Sequence, residues 1–100
     1  MRYNRYMITV RRLVWDNNNI DHIDRHNVTK EEVEEVCQGE HVAVDAHYGR
    51  VMVIGPTFER RAIAVILDPE REEGVWYPVT ARSADRQERR KYFEEKGVKL

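Results

Sequence analysis

Two apolar runs without alternation, Val51-Met52-Val53-Ile54 and Ala62-Ile63-Ala64-Val65-Ile66-Leu67, constrain this chain more than anything else in it. Such runs fit strands covered on both faces, or central positions in a sheet. The links that follow them are short and contain Gly and Pro: GPTFER after the first, DPEREEG after the second. A third run, residues 75–82, comes next, and the three read as an antiparallel meander. Pro78 lies inside the third run. Proline has no N–H to give to a ladder, so this strand is expected at an edge or with a bulge.

The remaining pattern fills in around that meander. A first strand is expected within residues 7–15, followed by a helix from about Asp16. Ile20, Ile23 and Val28 give that helix a thin apolar stripe, and three consecutive Asn at its start make it marginal by propensity. The second helix has stronger signals. Thr29 and Glu32 form a capping-box pattern, Val28 and Val33 a hydrophobic staple, and Gly39 a stop. Val33, Val36 and Cys37 make its buried face. Residues 40–49 read as a loop. Ser83 reads as the N-cap of a last helix, ADRQERRKYFEEK, with Tyr92 and Phe93 anchoring one side and Gly97 closing it. The order is β-α-α-β-β-β-α, an α+β fold with the helices packed on one face of an antiparallel sheet.

One hundred residues make a single domain, and no internal repeat or flexible linker divides it. No apolar run reaches membrane-spanning length, and the N-terminus lacks the apolar core of a signal peptide. A cytoplasmic protein with no membrane partner is expected. The lone Cys37 cannot close an internal disulfide, which agrees with a reducing compartment. The net charge of −1 argues against retention on nucleic acid by bulk charge. The charge is segregated, however. Residues 29–40 carry five glutamates against one lysine, and residues 82–92 carry five cations against two acids. The two regions can serve different partners or meet across a homo-oligomer.

Candidate chemistry follows from the placement of those charges. His22 and His26 lie four apart on one helix face, with Cys37, Asp45 or His47 as further donors. No second tight ligand pair accompanies them, so they read as structural or capping residues, and neither metal nor cofactor is expected. One imidazole could instead transfer protons or contact phosphate. Arg60 and Arg61 sit at the tip between the apolar runs. Arg61 opens one strand and Arg82 closes its neighbour, so an antiparallel pairing brings them close. Trp76, Pro78, Thr80 and Arg82 share a strand face that offers stacking and phosphate pairing for single-stranded RNA, or that a partner chain covers. In the last helix, Asp85 with Arg89 and Glu88 with Tyr92 stand at i,i+4 and fit a salt-bridged surface. Against that stands the cluster Arg86, Arg89, Arg90 and Lys91 beside Tyr92, whose repulsion an anion would relieve.

Four strings in order complete the picture: WDNNNIDHIDRHNVTKEEVEEV at 15–36, RVMVIG at 50–55, AIAVILD at 62–68 and VTARSADRQERRKYFEE at 79–95. Their order and content resemble the BrnT family of bacterial type II toxins, over about residues 13–95. Residues 1–12 are then an extension with the first strand, and Met7 an alternative start. The family's Ala-Arg motif falls on Ala81-Arg82, its helix motif on Glu88-Arg89-Arg90-x-Tyr92 and its turn on Arg25-His26-Asn27-Val28. Asn27 stands where Gly is usual, and Asn tolerates positive φ. The resemblance implies a RelE-like fold and a metal-independent endoribonuclease that blocks translation. It also implies a cognate BrnA-like antitoxin, with the two forming a hetero-oligomer.

On that footing, Arg82 and Arg61 would clamp the phosphate, and Tyr92 or His26 would transfer protons. Arg60, Arg86, Arg89, Arg90 and Trp76 would hold the RNA substrate. The 2′-hydroxyl would attack phosphorus in line, with guanidinium groups stabilising the developing charge. The alternative is a non-catalytic interaction module descended from a BrnT-like toxin that uses the same surface.

Overall fold

The structure, a computed structural model, describes residues 7–100. The start at MRYNRY lies outside the described residues. In chain order the elements are β1 (Arg12–Leu13), α1 (Asn17–Asp24), α2 (Lys30–Gln38), β2 (Val42–Asp45), β3 (Val51–Pro56), β4 (Ala62–Pro69), β5 (Val75–Ser83) and α3 (Arg86–Lys96). Among the described residues, five strands form one sheet in the order β1-β5-β4-β3-β2. The fold is α+β.

The meander is present. β3 pairs antiparallel with β4, and β4 with β5. Three expectations are corrected. First, residues 40–49 hold a strand, because Val42, Ala43 and Val44 are all buried and pair with β3 across a tight tip. Second, the sheet is mixed, because β1 runs parallel to β5. Two helices, not a hairpin, carry the chain away from β1, which leaves a parallel pairing open to it. β1 itself lies within residues 7–15, as expected, and is two residues long.

Third, the helices lie on both faces. Val53, Ile63, Val65, Leu67 and Ala81 pack with Ile23, Val33, Val36 and Cys37 of α1 and α2. Val42, Val44, Ile54 and Ala64 pack with Tyr92 of α3 on the opposite side. The absence of alternation in β3 and β4 demands this two-sided cover, since a strand wetted on one face alternates.

Pro78 sits at a bulge, as its missing N–H requires. The register runs Leu67↔Pro78 and then Ile66↔Thr80, which leaves Val79 as the extra residue. Capping boxes start all three helices: Asp16 with Asn19, Thr29 with Glu32, Asp85 with Glu88. Such a cap contributes about 1 kcal/mol. Ser83 is therefore not the cap of α3. It is the last residue of β5, paired with Ile63. Asn27 takes φ 61 in the turn between α1 and α2, which its short polar side chain tolerates. Gly97 closes α3 in the left-handed region at φ 72. No helix among the described residues is long and apolar enough to cross a membrane.

Candidate nucleic-acid interface

β5 runs into α3 through Ala84 and Asp85, and this junction carries the basic cluster. The bulge decides which side chains it presents. Trp76 falls on the α1–α2 side, packs against that core, and donates its indole N–H to Thr9 O at 3.1 Å. Thr80 pairs with Ile66, and Arg82 with Ala64 of the α3 core, so these two face the other way. The row Trp76, Pro78, Thr80 and Arg82 is thus split between the faces, because one extra residue reverses the alternation.

Arg82 gives two parallel N–H bonds to the Glu88 carboxylate, each 2.8 Å long. The Asp85 backbone N–H reaches the same carboxylate at 2.8 Å. The Arg82 guanidinium is the leading cause that holds the Glu88 carboxyl below its usual range, against its own burial. Glu88 is thus neither a partner of Tyr92 nor part of a solvated helix face.

Arg61 is engaged elsewhere. Its Nη1 donates to Asn27 O at 2.7 Å and to Glu32 at 3.0 and 3.1 Å, and Nη2 donates to Ser83 Oγ at 3.3 Å. These partners lie on the α1–α2 side, with the exposed His26 one residue before Asn27 in the turn. In the pairing of β4 with β5, Arg82 stands opposite Ala64, three residues along from Arg61, which precedes β4. The two arginine side chains then leave on opposite faces, and each meets its own carboxylate. Among the described residues, the two guanidinium groups are thus held apart, one by Glu32 and one by Glu88.

Tyr92 is only 3% exposed and belongs to the α3 core, where burial pushes its hydroxyl pKa up. His26 is exposed, and its ring centroid stands 5.6 Å from that of His22. Arg60 is exposed at the β3–β4 tip with φ 69, its backbone N–H donated to Thr57 O at 2.9 Å. Cys37 is buried, which pushes its thiol up to about 12. Among the described residues, no cluster of three or more His, Cys, Asp or Glu side chains could hold a metal ion.

Arg86, Arg89 and Arg90 are the residues that converge. With Gln87, Phe93, Lys99 and Leu100 they line an open groove of about 710 Å³ along α3. Arg89 is oriented by donating to Ala84 O at 3.0 Å. Among the described residues, no carboxylate pairs with Arg86, Arg90 or Lys99. Phe93 and Lys99 were not anticipated as site residues. Adjacent helix positions differ by about 100°, so Tyr92 and Phe93 cannot anchor the same side. With Tyr92 inward, Phe93 turns out between the arginines, a signal present in the 86, 89, 90, 93 spacing. Lys99 had no sequence signal, because it returns to the groove only through the reversal at Gly97.

The groove is therefore a cationic surface with an aromatic side chain in its lining, suited to an extended polyanion. No protein-family model matches the chain, and neither does a curated protein or a solved structure.

Proposed function

We propose that this chain acts on RNA, as the toxin of a type II pair of BrnT-like kind, and grips the RNA phosphates along α3. The observation that carries this reading is the groove. Arg86, Arg89, Arg90 and Lys99 line it together, and Arg86, Arg90 and Lys99 have no carboxylate partner among the described residues. Like charges so concentrated on a chain of net charge −1 are best relieved by a polyanion. The BrnT-like strings supply the direction of the reading, from polyanion to RNA and from RNA to growth arrest. Cleavage would have to draw on Arg61 and His26 on one face or on Arg82 on the other, since the two guanidinium groups leave the sheet on opposite sides.

A second reading, binding without cleavage, is favoured by a specific observation. Arg82 and Arg61 are each neutralised, by Glu88 and Glu32, and Tyr92 is shut in the core. A nucleophilic displacement needs those guanidinium groups free to meet the phosphorane oxygens.

Anisotropy of a labelled single-stranded RNA against salt tests the binding. Arg86→Ala and Arg90→Ala should each weaken it and reduce the log–log salt slope by about 1. Absent binding, or an unchanged slope in both variants, removes the proposal. Growth of a host expressing the chain alone, together with RNA cleavage by the purified protein in chelator, then separates toxin from binding module.

A further inference from the structure

The groove contains more than charge. Phe93 is 45% exposed and lines the groove beside Arg86, Arg90 and Lys99, which have no carboxylate partner among the described residues, so its ring is open to a role in what the groove holds. Its angular position supplies one. Taking about 100° per residue, Arg86, Phe93 and Arg90 project within about 60° of one another around the α3 axis, with Arg89 at their side. Phe93 thus stands about 4.5 Å along the axis from Arg90 and about 6 Å from Arg89, at 1.5 Å per residue. A purely electrostatic grip on a phosphate backbone has no use for a phenyl ring at that point. Stacking on a base does, because every base offers a π-face.

We infer that Phe93 is a base-stacking platform that makes the α3 groove selective for single-stranded RNA over duplex. This rests on the RNA reading above and assigns the ring a task within it. The surrounding guanidinium groups take the phosphates, while an unpaired base splays onto the phenyl face. In a duplex the bases already stack on their neighbours and stay in the helix, so only the phosphate contacts remain. Trp76, the aromatic residue that the sequence suggests for this role, is turned into the opposite core with its N–H bound to Thr9 O.

The test compares three probes on the full chain: a labelled single-stranded RNA, a duplex RNA of the same length, and inorganic polyphosphate. Phe93→Leu keeps the apolar volume and removes the ring. Single-strand affinity should fall about tenfold, the order of one lost base stack. Duplex and polyphosphate affinities and the salt slope should not change. Phe93→Trp should restore single-strand affinity, with its fluorescence quenched on binding. Equal losses on all three probes would reduce Phe93 to a structural support, and an unchanged single-strand affinity would leave it as an anchor for a protein partner. Either result overturns the inference while the RNA reading stands. A wild-type chain that binds none of the RNAs overturns both.

Discussion

Glu88 is a buried junction between β5 and α3. Its carboxylate, 6% exposed as a residue, takes two N–H bonds from Arg82 and one from the Asp85 backbone. Gln preserves the capping acceptor and removes the charge. Glu88→Gln should therefore cost about 1 kcal/mol at neutral pH, and Glu88→Ala about 2 kcal/mol, since it also loses the cap. The sign with pH follows from the direction of the shift. The folded carboxyl sits below its ordinary value of 4.5, so the stabilisation is complete above that pH and is lost as pH falls through the lowered value. Urea midpoints of wild type and Glu88→Gln should converge on acidification. Profiles that stay parallel would show that the Arg82 pair contributes nothing.

At the scale of elements, Arg61 acts as a tie. One guanidinium reaches the α1–α2 turn at Asn27 O, the first turn of α2 at Glu32 and the end of β5 at Ser83. Its removal should cost about 1–2 kcal/mol, because it leaves the Asn27 carbonyl and the half-buried Glu32 without their donor. Arg61→Lys should recover less than half of that, since an ammonium cannot bridge three partners in a planar fork. Thermal unfolding of the two variants checks this, and a lysine variant equal to wild type would refute the tie.

The elements themselves were legible to different degrees, for physical reasons. The Thr29–Glu32 box and the Pro78 bulge are local chemistry, and both are found. β2 is short, and its three apolar residues are overshadowed by the turn formers around them. The start of α3 shifted from Ser83 to Asp85 because strand pairing with Ile63 outweighs a hydroxyl cap. The site was legible as a basic helix. The direction of each guanidinium was not, because one bulge residue reverses the alternation on which the facing argument depended.

For the whole molecule, three layers mean two cores, and Cys37 sits in the larger one at 2% exposure. Its thiol, pushed up to about 12, is both neutral and sheltered at physiological pH. A disulfide reagent should leave it untouched in the native protein and label it at the rate of global opening, so labelling should accelerate with urea in step with unfolding. Rapid labelling under native conditions would mean that the α1–α2 layer opens separately. The parallel pairing of β1 with β5 has a consequence for the order of assembly. Arg12 meets Val75 and Leu13 meets Trp76, so β1 waits for a segment about sixty residues further along the chain. The meander closes over short loops, whereas this contact must join segments far apart in sequence, which places it among the later ones to form on the ribosome.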